Sequence, residues 1–195
     1  MWVRRICSGW LGSRPSKMLD PRSVANVIIE EAIRRGKPVT NLSLQKIMYF
    51  VHGRYLLETG KPLVSGSFEA WKFGPVSVPA YDAFKEFGSH PITVSAKKKD
   101  IRTGNLSVVP LPEDAELRQR IVDLAVPFID VSAGRLVELS HAAGSPWDRV
   151  TAGRPERVFG LRITNSTIVD YFRHHKIAIK PVPRSGEPSE ESPPN

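Results

Sequence analysis

The chain contains 195 residues, of which 41% are hydrophobic and 25% are charged, a composition typical of folded globular proteins. This length favours one domain with terminal extensions over two domains. Cys7 is the only cysteine, which excludes an internal disulfide bond and a zinc site built on several cysteines. No apolar run reaches the ~20 residues that a membrane-spanning helix requires. These features predict a cytoplasmic protein that does not enter a membrane.

The formal net charge of +8 is unevenly distributed along the chain. Residues 1–17 contain four basic residues and no acidic one, whereas residues 181–195 contain three glutamates and one arginine. The segment between these ends still carries a clear basic excess. Such an excess permits a nucleic acid or an acidic protein as partner. Lysines spread over a solvated surface are the simpler explanation.

Both ends of the chain are predicted to lie outside the folded domain. Residues 1–17 are basic but lack the apolar stretch of a secretory signal, and Met18 is the favoured start because a helix N-cap and a proline follow it. Residues 179–195 are rich in proline, glutamate and serine, and they are predicted to be disordered. The domain is therefore expected to span residues 18–178.

About six helices are predicted from apolar periodicity and capping residues. They cover approximately residues 21–35, 40–60, 77–88, 113–128, 132–144 and 163–174. The second helix carries apolar residues on two faces, because Leu42, Tyr49 and Leu56 lie away from its main apolar stripe. A helix that is apolar on two faces cannot lie on a surface. This helix is therefore predicted to be central and buried.

Short strands complete the predicted fold. Residues 68–73 have the aromatic character of a strand, which Gly74 and Pro75 end. Residues 92–94 and 106–109 are predicted to form a small hairpin, with Lys97–Lys99 in the connection between them. The expected fold class is mainly α (α+β): a compact single domain of about six helices with a small antiparallel β element.

Two blocks of sequence carry a resemblance to a known family. The first joins the helix LQKIMYFVHGRYL to the strand and turn FEAWKFGPV, and its matching positions include Thr40, Asn41, Leu42, Leu44, Gln45, Lys46, Tyr49, Gly53, Tyr55, Gly60, Lys61, Pro62, Leu63, Glu69, Ala70, Trp71, Lys72, Gly74, Pro75, Val76, Tyr81 and Phe84. The second contains Leu136, Leu139, His141, Pro146 and Trp147, then Ile168, Tyr171 and Phe172. The chain resembles the Panacea-domain family, the SocA-like antitoxins formerly described as phage-associated proteins. The resemblance covers about residues 21–172; Arg54 and the Ser77-Val78 pair depart from it.

The resemblance implies an antitoxin that neutralises a cognate toxin, expected from the adjacent gene, by direct protein–protein binding. It leaves open whether the chain occludes the toxin or acts as an adaptor that delivers the toxin to a protease. A basic regulator that binds nucleic acid is an alternative favoured only by the charge. Steep salt dependence of nucleic-acid binding would support that alternative.

A small hydrolase is the least favoured alternative, and its best candidate residue is His141. Asp148, Ser140 and Ser145 lie near it in sequence, but a catalytic triad requires a geometry that local sequence cannot supply. The position of His141 in the last turn of its helix favours a structural role. The nucleotide-binding, zinc-protease and nucleophile-elbow motifs are all missing from the sequence. We predict no catalytic residue, no metal site and no cofactor.

Partner contacts are predicted around the aromatic turn and the polar face of the second helix. Aromatic side chains with basic neighbours are common anchors of protein interfaces. Lys46 is also predicted to pair with Glu69 across a gap that Gly53 leaves open. The predicted partner-binding residues are Lys46, Tyr49, Glu69, Trp71, Lys72, Phe73, Tyr81, His141 and Trp147.

Overall fold

A computed structural model of the chain describes residues 18–152, 160–175 and 177. The predicted N-terminal extension and the predicted proline-rich tail lie outside the described residues, as does the end of the domain proposed at residue 178. Over the described residues the chain is mainly helical with two small antiparallel sheets, as predicted from the sequence. None of the helices in this part of the chain is long and apolar enough to cross a membrane.

Seven α-helices are present in the described segments. They are α1 Pro21–Arg34, α2 Asn41–Thr59, α3 Val78–Phe84, α4 Ala115–Ile129, α5 Ala133–Ser140, α6 Pro146–Thr151 and α7 Asn165–His174, and a short 3-10 helix, Lys85–Phe87, continues α3. The helix missing from the sequence prediction is α6. Its N-cap is Ser145, whose hydroxyl accepts a hydrogen bond from the backbone N–H of Asp148, and a proline occupies its first turn. This helix is only six residues long, too short for apolar periodicity to reveal it.

Helix α2 is the centre of the structure, as predicted. Thr40 caps its start by accepting from the N–H of Ser43, and Gly60 ends it in the left-handed conformation. The helix packs against α1, α4, α5 and α7. Apolar side chains are buried all round it, including Leu44, Ile47, Met48, Tyr49, Phe50 and Val51. Burial on every side explains why its apolar residues do not form a single stripe.

The predicted hairpin forms with a different register. Its strands are β3 Lys97–Lys99 and β4 Leu106–Val108, so the three lysines lie in a strand, and the prediction that placed them in the connection is wrong. Residues 92–94 are not a strand. Asn26 of α1 explains the shift, because its side chain accepts from the N–H of Ala96 at 2.7 Å and donates to the carbonyl of Val109 at 2.8 Å. This buried amide holds the base of the ribbon against α1.

A second sheet brings distant parts of the chain together. Its strands are β1 Phe68–Trp71, β2 Gly74–Val76 and β5 Arg162–Ile163, in the antiparallel order β2-β1-β5. The turn between Trp71 and Gly74 is tight, since these two residues are register partners. This sheet packs against α2 and α5 through β2, and it carries the aromatic turn of the predicted site.

Candidate partner-binding site

An open groove of about 650 Å³ lies beside the start of α2. Helix α3 and the turn that joins β1 to β2 form its sides, and the first residue of α5 also lines it. Its lining residues are Thr40, Asn41, Leu42, Gln45, Lys46, Trp71, Lys72, Phe73, Val76, Tyr81, Lys85, Gly88, Ser89 and Ala133. This set combines aromatic and aliphatic side chains with three lysines and contains no carboxylate.

Side-chain amides fix the base of the groove. Gln45 donates to Asn41 Oδ1 at 3.1 Å and accepts from the N–H of Ser77 at 2.9 Å. Asn41 in turn donates to the carbonyl of Tyr81 at 3.1 Å. Both amides are buried. These bonds join α2 to the N-cap of α3 and to Tyr81 within that helix, so the groove is a pre-formed part of the fold.

The aromatic wall comes from the β1–β2 turn and from α3. The rings of Trp71 and Tyr81 meet edge to face with centroids 4.7 Å apart, and Trp71 Nε1 donates to Glu69 Oε2 at 3.0 Å. Phe73 is 57% exposed at the tip of the turn. Lys72 Nζ lies 5.4 Å from the centroid of that ring. The turn therefore presents an aromatic surface and a positive charge to solvent together.

Lys46 lies at the base of the groove and is fully buried. Its Nζ donates to the carbonyl of Pro75 at 2.8 Å, and no carboxylate among the described residues lies within ion-pair distance of it. Burial lowers its pKa from 10.5 to about 7. The predicted ion pair with Glu69 is wrong, because that carboxylate accepts from the indole of Trp71 instead.

Gly74 allows the close packing around Lys46. Its φ of +98° lies in the region that favours glycine. A Cβ at this position would lie 2.5 Å from Ser140 Oγ and 3.0 Å from Lys46 Cε. The lysine side chain is thus enclosed between the start of β2 and the end of α5.

His141 lies beside this buried lysine rather than in the groove. Its ring stacks on Trp147 with centroids 3.6 Å apart, and its Nε2 is buried without a hydrogen-bond partner in the described part of the chain. Burial lowers the pKa of His141 to about 4; the charge of Lys46 lowers it too, and Asp148 opposes the shift. Both nearby serines donate to backbone carbonyls. Within the described residues, no group of His, Cys, Asp or Glu could hold a metal ion.

Comparison with known proteins shows to which family the chain belongs. Residues 44–148 match the family described as antitoxin SocA-like, Panacea domain. Over 178 residues the chain is 41% identical to antitoxin SocA of Caulobacter vibrioides (strain NA1000 / CB15N), covering 91% of this chain and 95% of the relative. The chain belongs to the SocA-like Panacea family. The resemblance predicted from the sequence is therefore confirmed. No solved structure is significantly similar to this chain.

The Panacea domain brings five of the nine predicted partner-binding residues to the groove. These are Lys46, Trp71, Lys72, Phe73 and Tyr81. Glu69 lies behind them as the acceptor for the Trp71 indole. The grouping follows from the tight β1–β2 turn and from the hydrogen bonds that hold α3 to α2.

Three predicted residues of this Panacea domain lie away from the groove. Tyr49 is 1% exposed among the rings of Phe50, Phe68 and Phe172, so its predicted partner contact does not fit this structure. Trp147 is also buried, and its indole donates to the carbonyl of Trp71 at 2.8 Å. His141 covers the other face of that indole. Tyr49 and Trp147 are core residues that hold the domain together.

Sequence reasoning missed several groove residues of the Panacea domain. Asn41 and Gln45 matched the family pattern but were not assigned to the site, although polar side chains on a helix predicted to be buried are a usable signal. Leu42 was assigned to the far apolar side of α2, yet it is 37% exposed and lines the groove. Lys85 and Ala133 gave no sequence signal, because only the fold brings their helices to this place.

Proposed function

We propose that this chain is an antitoxin that neutralises a cognate toxin by binding it directly, without catalysing a reaction. The observation that carries the proposal is the pre-formed apolar groove with an exposed aromatic residue, Phe73, at its rim. Exposed apolar surface rimmed by polar groups is typical of protein interaction sites. Tryptophan and tyrosine are also the usual anchors of such interfaces. Membership of an antitoxin family supplies the toxin as the partner.

The surroundings of His141 support a role without catalysis. A general base needs a reachable proton and a suitable pKa, but His141 Nε2 is enclosed and burial keeps the pKa of the ring near 4. The hydroxyls of Ser140 and Ser145 are engaged with the carbonyls of Val137 and Ser140. The stack on Trp147 accounts for the position of the ring. A catalytic triad therefore receives no support from the described residues.

A growth assay tests the proposal. The protein encoded by the adjacent gene is expressed alone, where it should stop growth, and then together with this chain, where growth should resume. Its abundance is followed by immunoblot, because an unchanged level supports occlusion and a falling level indicates delivery to a protease. If growth is not restored although both proteins accumulate, the proposed antitoxin role is overturned for this pair.

Two matched variants connect the assay to the groove. Phe73→Ser removes the exposed ring at the rim, and Ile101→Ser removes a fully exposed apolar side chain from the separate β3–β4 connection. Both substitutions affect exposed side chains, so neither should unfold the chain. Phe73→Ser should weaken the rescue of growth, whereas Ile101→Ser should leave it intact. Equal rescue by both variants would remove Phe73 from the interface.

A further inference from the structure

The charge and polarity of the groove indicate what kind of segment it accepts. Lys46, Lys72 and Lys85 all line it, and no aspartate or glutamate of the described residues does. Asp82 pairs with Lys85 at 3.2 Å, but both side chains are more than half exposed, so solvent screens this pair. A groove lined by one sign of charge attracts the opposite sign at long range. The occupant should therefore carry carboxylates.

The side-chain amides and the indole of the groove are already used within the protein. Asn41 and Gln45 bond to each other and to the backbone, and the Trp71 indole donates to Glu69. Small-molecule sites usually retain a few convergent polar groups that fix the orientation of the ligand. The apolar walls, the lysine charges and the hydroxyls of Tyr81 and Ser89 remain. The walls and the charges, which dominate this set, recognise burial and charge rather than a directional pattern. This favours a protein segment over a small molecule.

The same features disfavour a nucleic acid at this place. Arginine recognises phosphate through bidentate hydrogen bonds, and within the described segments no arginine lines the groove. Trp71 and Tyr81 meet edge to face and form no flat platform for stacked bases. Lys97–Lys99 lie on a separate ribbon and do not extend the charge of the groove.

The buried lysine adds an independent observation. A buried charge is normally paired, because an unpaired one is costly to remove from water. Lys46 has a backbone carbonyl as its only hydrogen-bond partner in the described structure. A carboxylate held in the groove would stabilise the ammonium form from a few ångströms away. The free protein thus contains a buried amine whose charged form an acidic partner would stabilise.

We propose that this groove binds a segment of the toxin in which an apolar side chain lies beside aspartate or glutamate residues. The apolar side chain fills the space between Trp71, Tyr81 and Ala133, and the carboxylates face Lys72 and Lys85. The inference rests on the proposed function, because it takes the toxin as the partner. It adds the chemistry of the bound segment and the residues that select it.

Charge reversal tests the electrostatic half of the proposal. The full-length double variant Lys72→Glu/Lys85→Glu is compared with Lys97→Glu/Lys98→Glu, which makes the same change of charge on the ribbon. Affinity for the purified adjacent-gene protein is measured by surface plasmon resonance over a series of salt concentrations. The groove variant should bind about tenfold or more weakly, mainly through slower association, and with less dependence on salt. The ribbon variant should bind within about threefold of the wild type.

Filling the groove tests the apolar half. Ala133→Phe puts a ring into the groove at the first residue of α5, and Ala115→Phe puts the same ring at the first residue of α4, outside it. Circular dichroism and thermal melting establish that each variant is folded. Ala133→Phe should lower the affinity about tenfold or more, and Ala115→Phe should not.

The outcomes separate the inference from the proposed function. If the wild type binds and the groove variants bind equally well, the inference is overturned while the proposed function stands. If the wild type itself does not bind the toxin, direct neutralisation fails and the inference fails with it. Loss of binding in the ribbon variant alone would move the interface to Lys97–Lys99.

Discussion

The ring of Phe172 lies directly against the α-carbon of Gly53. A Cβ at position 53 would be 2.5 Å from Cζ of that ring. The sequence predicted that Gly53 lets another element approach α2 closely; the element is α7 rather than the strand that carries Glu69. The Phe172 ring also lies near the rings of Tyr49 and Phe50. The ring is buried, so a methyl group at position 53 would force it to shift away from these neighbours.

Gly53→Ala should therefore destabilise the protein. Forcing a methyl group into a packed core costs about 1–3 kcal/mol of unfolding free energy, which exceeds the gain of ~1 kcal/mol from replacing a helical glycine with alanine. Gly134→Ala in α5 is the matched control, because a Cβ there meets open space. Urea unfolding should show a loss for Gly53→Ala and a small gain for Gly134→Ala. Equal behaviour of the two variants would contradict the packing described for α7.

The sequence predicted what is local and missed what depends on tertiary contacts. The capping of α2 by Thr40 and the turn at Gly74 follow from residue types and their spacing. The hydrogen-bond partner of Lys46 does not follow from them, because the path of β2 determines which backbone carbonyl lies within reach of the ammonium group. The register of the β3–β4 ribbon was missed for a similar reason, since it depends on the buried amide of Asn26 in a distant helix.

The same division between local features and tertiary contacts explains why only part of the candidate site could be predicted. Trp71, Lys72 and Phe73 share one turn and were assigned together. Tyr49 lies on the same central helix as Lys46, and helical spacing alone could not tell which side α7 covers. Lys85 joins the groove only because the amides of α2 hold α3 in place.

Lys46→Met should stabilise the protein in a pH-dependent manner. The pKa of Lys46 is lower in the folded state than in the unfolded state, so the unfolded chain binds more protons between about pH 7 and pH 10.5. The stability of the wild type should therefore rise with pH across this window. The advantage of the methionine variant should be largest below about pH 7 and should shrink by roughly 3 kcal/mol by about pH 9.5.

Urea unfolding at several pH values measures this advantage. Lys97→Met, at an exposed strand position, controls for the general effect of removing a lysine. A difference between Lys46→Met and the wild type that stays constant from pH 6.5 to about pH 9.5 would show that burial does not hold the pKa of Lys46 near 7.

His141 should make the protein sensitive to acid. Its pKa is about 4 in the folded state, below the ordinary value of 6.5, so the unfolded chain takes up the proton first. The stability that neutral His141 provides is fully present above pH 6.5 and is lost as the pH falls towards 4. His141→Phe keeps an aromatic ring against Trp147 but cannot titrate. Thermal melting between pH 7 and about pH 4.5 should show a smaller loss for this variant than for the wild type.

The same variant also separates structure from catalysis. His141→Phe should restore the growth of toxin-expressing cells as well as the wild type does, because the stack on Trp147 is retained. Loss of rescue in a variant that melts normally would point to a chemical role for the imidazole and would revive the hydrolase alternative.

Both ends of the chain should be dispensable for stability. Residues 181–195 are rich in proline and glutamate and almost free of apolar side chains, and residues 1–17 precede the N-cap and the proline with which α1 begins. A chain truncated to residues 18–180 should melt at the same temperature as the full-length protein. A clearly lower melting temperature would mean that one of the two ends packs against the domain.

Direct association with the toxin is the central claim, and calorimetric titration of the two purified proteins measures it. The full-length chain is titrated into the protein of the adjacent gene under conditions in which both are folded. We expect saturable binding at a fixed molar ratio, because neutralisation by occupancy consumes one antitoxin site for each toxin bound. The claim of direct association would be contradicted if this chain relieves the growth arrest that the toxin causes in cells but shows no saturable binding to the toxin in the titration.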